Sequence, residues 1–136
     1  MPRILAIDYG LKRCGVAVTD PEKIIATGLC TQETHKLMDF LKSYIAQEPV
    51  ERILIGLPKN LDGTDTDVTE RIRHYAGRLR RTFPGIPVQN VDEQYTSKMA
   101  FRAMVEMGMK KKDRRNKATV DEIAAALILQ EYLGIN

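Results

Sequence analysis

Short apolar runs separated by turn-forming residues occupy the N-terminal part of the chain. Ile4–Ile7 is apolar and ends at a turn, and Gly15–Val18 follows after a connection short enough for a hairpin. A second turn signal at Thr19–Glu22 leads into the apolar run Ile24–Cys30. Strands of this length joined by tight turns pair with antiparallel neighbours, so these runs predict a three-stranded meander.

Beyond Thr34 the apolar residues recur at helical spacing and then alternate with new strand-like runs. Before Pro49 ends the first helical pattern, one face collects Leu37, Phe40, Leu41, Tyr44 and Ile45. The rest of the chain predicts, in order, the strand Ile53–Pro58, the basic helix Asp67–Arg81, the strand Val88–Val91, and the helices Ser97–Met107 and Val120–Leu133. This order predicts a single α/β domain over residues 1–136, with a mixed five-stranded sheet and helices on both faces.

The composition is that of a globular protein, with 43% hydrophobic and 29% charged residues. The longest apolar run, Ala124–Leu129, is too short to cross a bilayer, and no signal-peptide pattern follows Met1. We therefore expect a cytoplasmic protein with no membrane partner. Cys14 and Cys30 lack C-x-x-C spacing, which argues against a zinc site and favours reduced thiols. A tight turn centred on Glu22 would place the two cysteines opposite each other.

The cations are unevenly distributed although the net charge is only +3. One cluster lies within Arg71–Arg81 and the other within Lys110–Lys117. Each cluster alone is typical of a solvated surface, but local concentration also indicates an anionic partner. In the second cluster, the residues expected to contact the phosphates of a nucleic acid are Lys110, Lys111, Lys112, Arg114, Arg115 and Lys117.

Three carboxylates lie where open α/β sheets usually place their sites. Asp8 and Glu93 each follow a predicted strand, and Asp121 lies near the start of the last predicted helix. Each also has a structural explanation: Asp8 could form an Asx turn, and Glu93 could be a solvated strand end. Asp121 could belong to a first helical turn capped by Thr119. However, Asp121 shares an inward helical stripe with Ala125, where a carboxylate is desolvated unless something pairs with it.

A divalent cation would accommodate all three acids at once. Mg²⁺ and Mn²⁺ prefer oxygen ligands, and two such ions about 4 Å apart can activate a water and stabilise the leaving oxygen of a phosphodiester. We therefore expect Asp8, Glu93 and Asp121 to be the catalytic metal ligands of a nuclease. The loop that follows the strand ending at residue 58 could add phosphate or ribose contacts, although an ordinary connection explains it equally well. Its candidate residues are Lys59, Asn60 and Thr64.

Four stretches in this order resemble the YqgF family, also called RuvX: AIDYGLKRCGVAV, GLPKNLDGT, VDEQYTS and KATVDEIAAALILQEYL. The resemblance spans nearly the whole chain and implies a ribonuclease H-like fold. It also implies a metal-dependent cytoplasmic nuclease that processes the 5′ end of pre-16S ribosomal RNA, with active-site acids at Asp8, Glu93 and Asp121. Gln94 departs from the family pattern, in which an arginine usually follows the acidic pair.

Other functions also fit these residues. The same family resemblance implies cleavage of Holliday-junction DNA as an alternative, and a symmetric homodimer would suit a four-way junction. A non-catalytic RNA-binding assembly factor could keep the acids for structure. A single-lobe ATP-binding module is the last alternative, because AIDYGLKRCGVAV also resembles the phosphate-binding hairpin of the actin and sugar-kinase superfamily.

Overall fold

The computed structural model describes residues 2–58, 67–93 and 117–134. At positions 58, 67, 92, 93 and 117–120 the description covers the backbone only. The predicted helix Ser97–Met107 lies outside the described residues. Within the described parts of the chain, no helix combines the length and apolar character that a membrane crossing requires.

A five-stranded sheet forms the centre of the molecule, in the order β3-β2-β1-β4-β5. Its strands are β1 Arg3–Asp8, β2 Arg13–Thr19, β3 Ala26–Glu33, β4 Val50–Pro58 and β5 Val88–Glu93. β2 pairs antiparallel with both β1 and β3, whereas β4 pairs parallel with both β1 and β5. The predicted mixed sheet, with its antiparallel N-terminal meander, is confirmed.

Three described helices accompany the sheet. They are α1 Leu37–Gln47, preceded by a 3-10 turn at Thr34–Lys36, α2 Asp67–Thr82 and α3 Lys117–Leu133. α3 begins one turn earlier than predicted, so the proposed N-cap at Thr119 was wrong. Lys117 and Ala118 have favourable helix propensities, which outweigh the preference of threonine for a cap. Asp121 therefore lies beyond the first turn, where the helix dipole stabilises an anion less.

Alternate strand residues face two hydrophobic cores on opposite sides of the sheet. Leu5 and Ile7 of β1 pack with α1 and α2, whereas Ile4 and Ala6 pack with α3. The helix residues buried in the first core include Leu37, Leu41, Ile72 and Leu79, and those in the second are Ala125, Ile128 and Leu129. Helices thus cover both faces, as the order of elements predicts.

The cysteines lie on adjacent strands in a register that differs from the predicted one. Cys14 pairs with Gln32, and Cys30 pairs with Val16, so each cysteine lies two residues away from the position opposite the other. Both thiols are free. The displacement keeps both cysteines on the face of the first core, where Cys14 is buried and Cys30 packs against the core's edge.

Glycines on β2 and β3 let α3 approach the sheet closely. A Cβ atom at Gly15 would overlap the backbone carbonyl of Asp121, and a Cβ at Gly28 would lie 3.1 Å from the Cβ of Glu122. Real Cβ atoms do not tolerate the first of these contacts, so Gly15 is required by the packing rather than by a turn. The position of Asp121 above the sheet is therefore set by the missing side chain at position 15.

We expect Gly15→Ala to lower the free energy of unfolding by about 1–3 kcal/mol, because the added methyl group forces α3 away from the sheet. Urea denaturation followed by circular dichroism measures this change. Gly85→Ala is the matched control, because a Cβ there has no neighbour within 4 Å. Equal stability of Gly15→Ala and wild type would contradict the close packing of α3 on β2.

The two thiols should differ in reactivity in the native protein. We expect Cys30 to react first with a disulfide-exchange reagent, because Cys14 is fully buried. Burial raises the pKa of both thiols, so both reactions should accelerate as the pH rises and thiolate forms. Denatured protein prepared without reductant should release both thiols, and its failure to do so would reveal a disulfide.

Candidate active site

Asp8 lies at the edge of the sheet where the parallel strands reach their carboxyl ends. It is the last residue of β1 and pairs with Gly15 of β2. Because Ile4 and Ala6 pack with α3, the alternation along β1 directs Asp8 to the same face. Open α/β sheets place their sites at this edge, so Asp8 occupies a position suited to chemistry.

Asp121 of α3 lies directly above this strand end. Its backbone packs on Gly15, the residue that pairs with Asp8. The same two carboxylates also act on Cys14: burial is the largest cause of its raised pKa, and the negative charges of Asp8 and Asp121 raise it further. The fold therefore brings Asp8 and Asp121 together, although they are 113 positions apart in the sequence.

Arg13 forms the ion pair that Asp121 requires, because the side of α3 that carries Asp121 faces the sheet. Its Nε donates a hydrogen bond to Asp121 Oδ2 at 2.5 Å. Arg13 precedes Gly15 by two positions on β2, so both residues face α3. The two side chains are 38% and 20% exposed, so solvent screens the pair and it stabilises the fold by less than about 1 kcal/mol. Its larger effect is to fix the orientation of the carboxylate.

Arg13 was missed by the sequence reasoning, which assigned no role to it. The sequence did contain one signal for Arg13. On a strand it shares a face with Gly15 and Ala17, and these residues are small enough for a helix to pack closely on that face. That signal depends on knowing which helix covers β2. A charged residue at a strand start is otherwise indistinguishable from a solvated strand end.

Glu93 is placed at the same sheet edge by its backbone. It is the last residue of β5 and pairs with Pro58, the last residue of β4. Asp8, Pro58 and Glu93 thus end three neighbouring parallel strands. The carboxylate of Glu93 and the whole of Gln94 lie outside the described atoms. Among the side chains that are described, no three of the His, Cys, Asp and Glu type form a metal-binding group.

The residues predicted to contact nucleic acid lie almost entirely outside the described residues. This holds for the loop residues Lys59, Asn60 and Thr64, and for the cluster members Lys110, Lys111, Lys112, Arg114 and Arg115. Lys117 begins α3, so its backbone is four residues before Asp121 on the same helix. The segment containing the cluster therefore leads directly into the helix that carries Asp121.

A cleft of about 430 Å³ opens beside Asp121, lined by Gly10, Leu11, Lys12, Arg13 and Asp121. The loop that forms one wall is held in place by Thr34, whose Oγ1 donates to the Gly10 carbonyl at 2.6 Å and whose N–H donates to the Lys12 carbonyl at 3.0 Å. A preorganised wall of this kind keeps the cleft open beside the carboxylates.

The two carboxylates that the fold brings together, Asp121 at this cleft and Asp8 at the end of β1, are of the kind that a hard divalent cation binds. Asp8 and Asp121 offer carboxylate oxygens, which Mg²⁺ and Mn²⁺ prefer. The thiol of Cys14 is buried in the core on the opposite face of the sheet, so it does not belong to this donor set.

Comparison with solved structures finds a chain of similar fold. Thermus thermophilus RuvC in complex with a Holliday junction substrate superposes with a TM-score of 0.56, covering 98% of this chain and 97% of that chain. The sequences are 14% identical, so the likeness concerns the fold alone. The predicted ribonuclease H-like fold is confirmed.

Proteins of similar sequence carry the name "Putative pre-16S rRNA nuclease". The one from Bacteroides thetaiotaomicron is 53% identical over 133 residues, covering 98% of this chain and 96% of the relative. The one from Flavobacterium johnsoniae is 51% identical over 134 residues, covering 98% and 97% respectively. These similarities extend over both halves of the candidate site.

The model of the RuvX family, described as Holliday junction resolvase, matches residues 2–134. This match covers both the strand that carries Asp8 and the helix that carries Asp121. Together with relatives that share half of their residues with this chain, it identifies the protein as a member of the RuvX family.

Proposed function

We propose that this protein is a metal-dependent nuclease that cleaves the precursor of 16S ribosomal RNA. The observation that carries the proposal is the packing of Asp121 on Gly15, the strand partner of Asp8. It unites two carboxylates from distant segments at the sheet edge where such folds carry their sites. The names of the relatives from Bacteroides and Flavobacterium support the choice of substrate.

In this proposal Asp8, Glu93 and Asp121 would hold a pair of Mg²⁺ or Mn²⁺ ions, which would supply activation of a water and stabilisation of the leaving oxygen. Asp8 is presented by the end of β1, and Asp121 is oriented by the hydrogen bond from Arg13. Glu93 completes the set from the end of β5.

Binding of the polyanion is assigned to cations around the acids. The cluster comprises Lys110, Lys111, Lys112, Arg114, Arg115 and Lys117. These residues would contact backbone phosphates independently of base sequence. The loop residues Lys59, Asn60 and Thr64 follow directly after Pro58, the end of the strand between β1 and β5, and would add phosphate or ribose contacts.

The proposed nuclease is a single domain that acts in the cytoplasm. Residues 1–136 form the nuclease domain in the proposal, and a homodimer would allow paired cuts in a branched substrate. Cleavage of four-way DNA junctions is the second candidate, favoured by the description of the family and by the fold shared with RuvC.

Asp8→Asn and Asp121→Asn should each reduce cleavage of a pre-16S RNA fragment at least about 100-fold, because each removes a charged metal ligand. The assay compares Mn²⁺ with EDTA and includes a four-way DNA junction as the second substrate. Asp39→Asn is the matched control, since Asp39 is exposed on α1, which packs on the face of the sheet opposite to Asp121.

Unchanged thermal unfolding should accompany the loss of activity, because the screened Arg13–Asp121 pair contributes little stability. Equal cleavage by the wild type and both variants would refute the active site. Cleavage of the junction in preference to RNA would replace the proposed substrate with branched DNA.

Each of Lys112→Gln and Arg114→Gln should weaken RNA binding and flatten its salt dependence. For a double-helical substrate the slope of log K against log salt should decrease by about 0.9 for each lost phosphate contact. Fluorescence anisotropy at several salt concentrations measures the slope. Lys42→Gln on α1 is the control with the same charge change. A slope unaltered in both cluster variants would exclude phosphate contacts at these positions.

A further inference from the structure

A second cleft, of about 470 Å³, lies on the other side of the Gly10–Lys12 loop. We call it the arginine cleft, and its principal lining residues are Tyr9, Leu11, Lys12, Arg71, Tyr75 and Arg78. It belongs to the face of the sheet covered by α1 and α2, opposite to the face that carries Asp121. The basic helix α2 supplies two of its cations, a feature that the proposed active site does not use.

The walls of the arginine cleft combine aromatic rings with guanidinium groups. Arg71, Tyr75 and Arg78 are spaced along one stripe of α2, so they face the same side. The rings of Tyr9 and Tyr75 have centroids 5.1 Å apart, and the guanidinium carbon of Arg78 lies 5.5 Å from the Tyr75 centroid. Proteins that hold single nucleic-acid strands combine a cationic groove with aromatic side chains, and arginine contributes cation–π contacts.

The cations of the arginine cleft are not neutralised by their surroundings. Arg71 and Arg78 are exposed, and neither forms an ion pair with any carboxylate in the described part of the chain. Lys12 adds a third exposed cation on the facing loop. Three cations around one cleft repel one another, and a bound polyanion removes that repulsion.

A further polar group lies beneath the cleft. Tyr75 is 4% exposed, and its buried hydroxyl has no hydrogen-bond partner among the described residues. Buried polar groups without a partner are rare in native proteins, and this one belongs to a residue that lines the cleft.

The arginine cleft adjoins the candidate active site across a single loop. Asp8 and Tyr9 are consecutive, but Asp8 faces α3 whereas Tyr9 packs against the core under α2. Leu11 and Lys12 line both clefts, so the loop is a ridge between them. Thr34 fixes the position of this loop through its hydrogen bonds to the carbonyl groups of Gly10 and Lys12. A strand that crosses the ridge from the acids enters the arginine cleft.

We propose that the arginine cleft binds the single-stranded segment of the nucleic acid that flanks the bond cut at Asp8 and Asp121, an inference that rests on the proposed nuclease function. Arg71, Arg78 and Lys12 contact successive phosphates of this segment. Leu11, which is 54% exposed, and the ring of Tyr9 offer apolar surface to its bases. The enzyme thereby selects substrates in which the cut site is followed by an unpaired strand.

The experiment measures binding of a fluorescent single-stranded RNA hexamer by anisotropy, with EDTA present so that no cleavage occurs. Arg71→Gln and Arg78→Gln should each weaken binding and decrease the salt slope by about 0.7, the value for one lost contact with a single strand. Arg81→Gln is the matched control, because Arg81 is an exposed cation of the same helix outside the cleft. The control should match the wild type.

Equal affinity and equal slope in all three variants would overturn the proposal. An identical loss for a blunt duplex of the same length would also overturn it, because the cleft would then be a general phosphate site. The nuclease proposal is tested separately, by the cleavage assay that compares the wild type with Asp121→Asn. Loss of binding in the cleft variants without any cleavage by the wild type would reject the nuclease and retain the cleft as a strand-binding site.

Discussion

The close packing of α3 on Gly15 of β2 is the constraint on which the candidate site depends. A helix can approach a strand to backbone contact only where no Cβ intervenes, and Gly15 provides that gap directly beside Asp8. The contact turns two acids from opposite ends of the chain into neighbours. The same packing sets how close Asp121 lies to the sheet, because the small and aliphatic residues of the second core hold the rest of α3 against the strands.

Charge compensation follows from this packing. A partly buried carboxylate is costly without a partner, and the only α3-facing cation on β2 is Arg13, among the residues that the structure describes. The hydrogen bond from Arg13 satisfies one oxygen of Asp121 and compensates part of its charge. Fold stability and site electrostatics therefore depend on the same few residues.

The sheet edge gives these residues a context for function. The end of β1 directs Asp8 to one face and Tyr9 to the other, so a single loop separates the cleft beside Asp121 from the arginine cleft. Under the proposed function, the carboxylates would hold divalent ions at the bond to be cut, and the guanidinium groups would contact the strand that leads to that bond. Thr34 ties the loop to the start of the first helical segment and so keeps the two clefts in a fixed relation.

The sequence by itself determined the elements, because apolar periodicity and turn residues act over a few neighbouring positions. The sequence was sufficient to predict the mixed sheet and the end of α1 before Pro49. It was also sufficient to predict that Asp8 ends a strand and that Asp121 lies on a helix. Only the tertiary structure decided the start of α3, the register of the cysteine-bearing strands and the partnership of Arg13 with Asp121. These features depend on which surfaces meet after folding, and the 108-position separation of Arg13 and Asp121 leaves no local pattern from which their contact could be inferred.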